Sequence, residues 1–147
     1  MGLMEDVGHG AVGVDTAAFI YFIEEDARFL PIIEPLFREA DRGHCTLVTS
    51  ALTLLEVLVV PYRAGNHLLA ERYENLLTRS RGIRVMDISR DQLRIAAQLR
   101  ATTSIKTPEA LQVAAALSGE CANFVTNDRR IPALPGLKVR LLGAYAS

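Results

Sequence analysis

The sequence predicts an α/β fold in which a mostly parallel sheet lies between two layers of helices. Short apolar runs with the composition of strands alternate with amphipathic segments of helix length, and turn or cap residues separate them. Strands that alternate with helices form a parallel sheet covered on both faces. No repeat, linker or low-complexity segment interrupts this order, so we predict one domain at residues 11–147 after a loose tail at residues 1–10.

Five segments have the composition of strands, at residues 11–14, 44–50, 82–88, 122–126 and 137–142. Helices are predicted at residues 16–25, 28–41 and 67–78, through position 56 to about residue 65, at 90–101, and from position 107 to a stop at 119. Ser89 and Gln92 form a capping box at the start of one helix. Thr107 fits the N-cap of the last helix, Pro108 its first position and Gly119 its end.

Two acidic residues in the first half of the chain need an explanation. Asp15 ends the first strand, where it could cap the helix that follows. Glu56 shares a helical stripe with apolar residues, namely Leu52, Leu55, Val59 and Val60. Burying a carboxylate on such a stripe costs about several kcal/mol unless a cation, a proton or hydrogen bonds compensate. A structural salt bridge is the alternative to a functional role for Glu56.

Two more acids lie at the starts of structural elements in the second half. Glu109 falls in the first turn of a helix, where the helix dipole favours a negative charge with or without a function. Asp128 follows the fourth strand, where Asn127 or Asp128 could begin a turn. One site explains all four acids together, because the carboxyl ends of parallel strands converge on one edge of the sheet, where such folds bind ligands.

The four acids therefore predict a divalent-cation site. Carboxylate oxygens suit Mg²⁺ or Mn²⁺, and we expect Asp15 and Asp128 to be direct ligands, with Glu56 and Glu109 binding directly or through water. The hydroxyls of Thr126, at the end of the fourth strand, and Thr16, after the first strand, are each expected to orient an acid. Such a site can activate water against a phosphodiester without a protein nucleophile, so the four acids are also the predicted catalytic residues.

Four segments carry these residues: VDTAAFI, LTLLEVL, KTPEALQVAAAL and FVTNDRRI. Their order and spacing from about residue 11 to residue 142 resemble those of PIN domains and, within that superfamily, of the VapC toxins of toxin–antitoxin pairs. The resemblance implies a three-layer α/β/α PIN-like domain, endoribonuclease activity on RNA, a homodimer, and an antitoxin protein encoded beside the gene. The chain departs from the family at Glu109, where the family usually carries Asp.

Two other functions remain open. A PIN-like protein that no longer cleaves, because of Glu109, would act as an RNA-binding or protein-interaction module. The second alternative is an unrelated magnesium enzyme, such as a phosphatase of the haloacid dehalogenase type. That class needs a second Asp two positions after the nucleophile, where this chain has Ala17, so we rank it far below the others.

Charge is distributed unevenly along the chain. Residues 1–78 have a net charge of −7 and residues 79–147 a net charge of +6, mostly from arginine. This asymmetry is compatible with phosphate contacts, although solvated helix faces explain it equally simply. Phe124 and Tyr145 are the aromatic residues of the second half, which is too few for a base-stacking surface.

Other candidate groups have simpler explanations. Asp87 also ends a strand, but the strand order could place it away from the other acids. The histidines are too widely spaced for a zinc site, and both cysteines are expected to be buried thiols; these residues are His9, His44, His67, Cys45 and Cys121. The start of the chain lacks the pattern of a signal peptide and no run is long enough for a membrane span, so we expect a cytoplasmic protein.

Two segments are more apolar than a helix covering one face of a sheet needs. They are AAFIYFI, after the first strand, and the helix that contains Glu56. Surplus apolar surface of this kind favours association with a second copy or a partner, whereas the alternative is that both segments are simply core.

Overall fold

Residues 2–146 are described by a computed structural model, in which five parallel strands form one sheet between two layers of helices. The helices are α1 (Leu3–Val7), α2 (Thr16–Ile23), α3 (Leu30–Asp41), α4 (Leu52–Arg63), α5 (His67–Arg79), α6 (Arg90–Thr102) and α7 (Thr107–Ser118). The strands are β1 (Gly10–Val14), β2 (Cys45–Ser50), β3 (Ile83–Met86), β4 (Asn123–Thr126) and β5 (Lys138–Leu141), followed by a short 3-10 helix at Leu142–Ala144. The predicted three-layer α/β/α architecture is confirmed.

The strand order is β3-β2-β1-β4-β5, and each neighbouring pair is parallel. Strands β2 and β3 follow β1 in order toward one edge of the sheet, whereas β4 and β5 lie on the other side of β1. The direction of the strand order therefore reverses between β1 and β4. At such a point a crevice forms beyond the carboxyl ends of the two strands, and open parallel sheets bind their ligands there.

Alternate residues of the strands face opposite helix layers. Val12 and Val14 of β1 pack in a cluster with α1 to α5, whereas Val48 of β2 and Phe124 of β4 pack in a cluster with α6 and α7. Because helices cover both faces, the central strands carry apolar residues on both sides. This explains the continuous hydrophobic runs in the sequence.

Helix α7 lies directly against β1 because Gly13 has no side chain. A Cβ atom at Gly13 would lie 2.7 Å from Cβ of Ala116 and 2.8 Å from Cδ1 of Phe124. Any larger residue at this position would force the helix and the strand apart. The close packing fixes the helix that carries Glu109 against the strand that leads into Asp15.

The amino-terminal segment corrects one prediction. Residues 1–10 were expected to form a loose tail, but α1 lies within them and buries Leu3 and Val7 in the core. The hydroxyl of Tyr145 donates a hydrogen bond of 2.5 Å to Oδ2 of Asp6 and so ties α1 to the end of the chain. This anchor joins positions far apart in sequence, so a local pattern could not show it. Residue 1 lies outside the described residues.

The helices differ from the predicted ones by one or two residues at their ends, and α2 and α4 end at Ile23 and Arg63, about two residues earlier than predicted. Helix α3 begins at Leu30 rather than near residue 28, because the carboxylate of Asp26 accepts a hydrogen bond from the N–H of Arg28 at 2.9 Å and holds a turn there. Thr107 is the first residue of α7 and not its N-cap, which is Lys106. Both changes leave the predicted acids on the elements to which they were assigned.

The remaining sequence-based expectations concern thiols, histidines and membranes. Cys45 and Cys121 are buried, as predicted, and within residues 2–146 both are free thiols. The side chains of His9, His44 and His67 are exposed. In the described part of the chain, no helix has the length and apolar character that crossing a membrane requires.

Candidate metal centre

The four predicted acids line one pocket of about 120 Å³. Asp15 stands between β1 and α2, Glu56 on α4, Glu109 in the first turn of α7, and Asp128 two residues beyond β4. The pocket therefore lies at the reversal of strand order between β1 and β4. Asp87 follows the edge strand β3, is exposed and does not line this pocket. The roles of the four acids as ligands and catalysts remain predictions.

Asp15 occupies the N-cap position of α2, but its side chain makes no capping hydrogen bond within residues 2–146. Its Oδ2 accepts a hydrogen bond from the hydroxyl of Thr126, while its Oδ1 is buried without a hydrogen-bond partner in the same part of the chain. Burial raises the pKa of Asp15 to about 6; the Thr126 hydroxyl and the nearby backbone amides of Ala17 and Ala18 oppose this rise, and the negative charge of Asp128 adds to it. A buried carboxylate with an unpaired oxygen is suited to binding a cation.

Thr126 connects two of the acids. Its buried hydroxyl donates to Asp15 and accepts a hydrogen bond from the backbone N–H of Asp128 at 3.0 Å. One side chain at the end of β4 therefore sets the position of the β1 acid and of the turn that carries the β4 acid. The role of Thr126 in orienting a metal ligand stays a prediction.

Glu56 lies at the margin of the pocket rather than in an apolar interior. The hydroxyl of Thr16 donates to its Oε1 at 2.5 Å. The apolar stripe on which the argument for Glu56 rested is mostly solvent-exposed: Leu55 is 60% and Val60 65% accessible. That argument was wrong, because α4 buries a different set of residues, namely Thr53, Val57, Leu58 and Pro61.

Glu109 and Asp128 have contrasting surroundings. Oε2 of Glu109 is buried and, within residues 2–146, has no hydrogen-bond partner. Asp128 instead pairs with Arg130, whose Nε donates to Oδ1 and whose Nη2 donates to Oδ2, both at 3.0 Å. The hydrogen bonds from Arg130 lower the pKa of Asp128, and the charge of Lys106 lowers it further.

Sequence reasoning missed Gln112, which is buried on α7 and also lines the pocket. Its Nε2 donates to the hydroxyls of Thr53 at 2.8 Å and Thr16 at 3.3 Å, and its Oε1 accepts from the N–H of Ser50 at 3.2 Å. Gln112 therefore links α7 to the Thr16 hydroxyl that holds Glu56. The signal in the sequence was a single amide side chain inside the apolar run LQVAAAL.

The donor set fits a hard divalent cation in its chemistry. All four acids supply oxygen, and two of them present a buried oxygen that lacks a partner in the described chain, Oδ1 of Asp15 and Oε2 of Glu109. As they stand in residues 2–146, however, no three His, Cys, Asp or Glu side chains are grouped closely enough to hold one ion. Arg130 engages both oxygens of Asp128, so this pair would have to open for Asp128 to become a direct ligand, whereas Thr16 engages only Oε1 of Glu56.

Three solved structures that share this fold are toxin–antitoxin complexes. VapBC2 from Rickettsia felis, bound to a promoter DNA fragment, aligns with a TM-score of 0.67 at 16% identity, covering 90% of this chain and 98% of that one. A toxin–antitoxin complex from Klebsiella pneumoniae aligns with a TM-score of 0.60 at 20% identity, covering 86% of this chain and 94% of that one. DNA-bound VapBC from Salmonella typhimurium aligns with a TM-score of 0.61 at 18% identity, covering 91% of this chain and 98% of that one. At these identities the likeness concerns the fold.

Sequence comparison identifies the family directly. No curated protein sequence matches the chain significantly. The family model of the PIN domain matches residues 12–137, which include all four acids of the pocket and most of the chain. With its parallel sheet and the pocket at the reversal of strand order, the chain belongs to the PIN domain family.

Proposed function

We propose that this PIN domain is a metal-dependent endoribonuclease and the toxin of a VapBC-type toxin–antitoxin pair. The observation that carries the proposal is the convergence of four carboxylates on one pocket, with a buried, unpartnered oxygen on Asp15 and on Glu109 among the described residues. Membership of the PIN family and the fold likeness to VapBC complexes support the same function.

In the proposed site, Asp15 and Asp128 hold Mg²⁺ or Mn²⁺ directly, while Glu56 and Glu109 bind directly or through water. When bound, the cation lowers the pKa of a water and stabilises the charge that develops on the phosphodiester. Hydrolysis forms a P–O bond to the water oxygen and breaks the bond to the leaving oxygen, which takes up a proton. Thr126 keeps the carboxylate of Asp15 in place during this step, because its hydroxyl already donates to Oδ2.

The substitutions Asp15→Asn and Asp128→Asn test the proposal. We expect each to reduce manganese-dependent cleavage of RNA by about 100-fold or more, because each removes a charged ligand while keeping the shape of the side chain. Asp87→Asn is the matched control, since Asp87 is also an acid after a strand but lies outside the pocket. Cleavage is measured on gels with total RNA and Mn²⁺.

The same variants give a readout that is independent of activity. Saturating Mn²⁺ should raise the melting temperature of the wild type and of Asp87→Asn, because it removes like-charge repulsion in the folded protein, but not that of Asp15→Asn. Equal shifts in all three proteins would contradict the metal centre. Cleavage that survives in both Asp15→Asn and Asp128→Asn would contradict the assigned catalytic residues.

A non-catalytic PIN module is the second candidate, and Glu109 is the observation that favours it. Glu109→Asp distinguishes the two functions, because it restores the acid that the family usually carries. If the longer side chain holds its carboxylate at a poor distance, cleavage should rise in Glu109→Asp. If neither the wild type nor this variant cleaves any RNA with Mn²⁺, the non-catalytic function is the correct one.

The proposed partner is an antitoxin protein encoded by a neighbouring gene. This inference rests on the fold likeness to complexes from three bacteria that contain a toxin and an antitoxin. Expression of the protein alone should arrest growth, and co-expression of a small upstream gene for a DNA-binding protein should restore it. Normal growth on expression of the protein alone would leave the toxin assignment without support.

A further inference from the structure

Arg130 provides the chain with a cation of its own at the acidic pocket. Its guanidinium spans both oxygens of Asp128, with Nε on Oδ1 and Nη2 on Oδ2 at 3.0 Å, and its backbone N–H adds a bond of 2.9 Å to Oδ1. The other acids with hydrogen bonds in the pocket behave differently: hydroxyls hold Asp15 and Glu56 and leave their charges in place. Asp128 is thus the pocket acid whose charge is paired with an arginine.

This ion pair is placed so that it can open. The side chain of Arg130 is 66% exposed, whereas that of Asp128 is 20% exposed. Exposed ion pairs contribute only about 0–1 kcal/mol, because water screens the charges and holding two side chains costs entropy. A divalent cation carries twice the charge of a guanidinium and attracts the same carboxylate more strongly. The pair therefore competes with a metal without excluding it.

Arg130 also has a place to act when it is released. Beside the acidic pocket lies a smaller recess of about 40 Å³, which shares Glu109 and Asp128 with it and is also lined by Lys106 and Arg130. Two cationic side chains thus share a recess with two of the acids. A phosphate next to the scissile one would meet them there, and a guanidinium can bind phosphate oxygens with the same two N–H groups that hold a carboxylate.

We propose that Arg130 binds an RNA phosphate only after a metal ion has bound. In the metal-free protein Arg130 pairs with Asp128. A divalent cation that binds Asp128 displaces Arg130, which then contacts the RNA backbone. This inference rests on the proposed nuclease function and deepens it. It assigns Arg130 two opposing effects, since the same side chain weakens metal binding and strengthens RNA binding. A merely structural role would change both affinities in the same direction or neither.

Metal affinity is the first test, measured by calorimetric titration of Mn²⁺ into the full-length protein. Arg130→Gln should bind Mn²⁺ about two- to fivefold more tightly than the wild type, which corresponds to the loss of an exposed competing ion pair. Arg129→Gln is the matched control. Arg129 is the adjacent exposed arginine and lines neither the pocket nor the recess. The affinity of the Arg129→Gln variant for Mn²⁺ should therefore equal that of the wild type.

RNA affinity is the second test, measured by fluorescence anisotropy with a labelled phosphorothioate RNA of mixed sequence that resists hydrolysis. With Mn²⁺ present, Arg130→Gln should weaken RNA binding about three- to tenfold, because one charge-assisted contact is lost. With EDTA the loss should be less than about twofold, because Arg130 is then engaged by Asp128. Arg129→Gln should show no such dependence on the metal.

The outcomes separate this inference from the nuclease function. If the wild type binds Mn²⁺ but Arg130→Gln binds it equally or less tightly, the competition is refuted and the metal centre stands. If Arg130→Gln weakens RNA binding equally with Mn²⁺ and with EDTA, the displacement is refuted. If neither the wild type nor Arg130→Gln binds Mn²⁺, the metal centre and the displacement are both refuted.

Discussion

At the scale of single residues, Asp15 has the least favourable environment of the pocket acids when no cation is bound. Its carboxylate is buried, is close to the charge of Asp128, and leaves Oδ1 without a partner among the described residues. The hydroxyl of Thr126 offsets only part of this cost, because it reaches one oxygen. The folded metal-free protein is therefore expected to be destabilised by the negative charge of this one residue.

This environment predicts a pH dependence of stability. The pKa of Asp15 is raised from 3.8 to about 6 in the folded protein, so the folded state binds more protons than the unfolded state between these values. Stability therefore falls as the pH rises through this interval, and Asp15→Asn removes the effect. The gain in unfolding free energy of metal-free Asp15→Asn should grow from near zero below pH 4 to at most about 3 kcal/mol above pH 6.

The measurement is urea unfolding of metal-free wild type, Asp15→Asn and Asp87→Asn at pH 4 and pH 7.5. Asp87→Asn should follow the wild type, because Asp87 is exposed. A stability difference between Asp15→Asn and the wild type that is equal at the two pH values would show that the carboxylate of Asp15 has an ordinary pKa.

At the scale of elements, the pocket is held together by a polar network between the helices. Gln112 of α7 bonds to Thr53 of α4, Thr16 of α2 and Ser50 at the end of β2. The network joins three helices and a strand around the acid on α4.

A second buried glutamine, Gln92 on α6, has an Oε1 without a hydrogen-bond partner in residues 2–146.

The two glutamines make a matched pair for measuring this network. Gln112→Met should lower the unfolding free energy by about 2–4 kcal/mol, because it leaves the buried Ser50 N–H without its acceptor and removes one hydrogen bond of the buried Thr53 hydroxyl. Gln92→Met should change stability by less than about 1 kcal/mol, or increase it, because it removes a buried polar group that lacks a partner. Denaturant unfolding of both variants checks this, and equal losses would show that the network adds nothing to stability.

Of the two segments predicted to have surplus apolar surface, only one has it. In AAFIYFI, which forms most of α2, the residues Ala18, Phe19 and Ile23 are core and no large apolar residue is exposed. Helix α4 leaves several apolar side chains in solvent, namely Leu55, Val59, Val60 and Tyr62. The apolar surface available for association is therefore on α4.

At the scale of the whole molecule, the surface of α4 predicts a homodimer. We expect the wild type to sediment as a dimer at micromolar concentration, since an exposed apolar patch of this kind favours burial against a second copy. Leu55→Glu should sediment as a folded monomer whose melting temperature no longer depends on protein concentration, because Leu55 is 60% accessible and contributes little to the core of one subunit. Leu93→Glu on α6, also half exposed, is the control and should remain dimeric. A monomeric wild type would refute the prediction.

The basic residues of the second half of the chain are not all beside the acidic pocket. Lys106 and Arg130 line the recess next to it, whereas Lys138 and Arg140 border a different cavity together with Asp6. Arg140 hydrogen-bonds to the side chain of Asn123 at 2.9 Å and therefore serves the fold. For this reason the proposed RNA contact is assigned to the arginine beside the pocket and not to the arginine-rich segment as a whole.

The sequence by itself determined the fold class, the five strands and the helices after β1, and it indicated the four acids of the pocket, although the reason for choosing Glu56 was wrong. Continuous apolar runs and cap residues are local signals, and acids at strand ends meet because parallel strands share one edge. Only the tertiary structure decided the strand order, the burial of α1, and which face of α4 is core. It alone also placed Arg130 on Asp128 and Gln112 among three helices. Such contacts depend on how the helices and strands pack and on which rotamers the side chains adopt. Hydrophobic periodicity along the sequence contains no information about either.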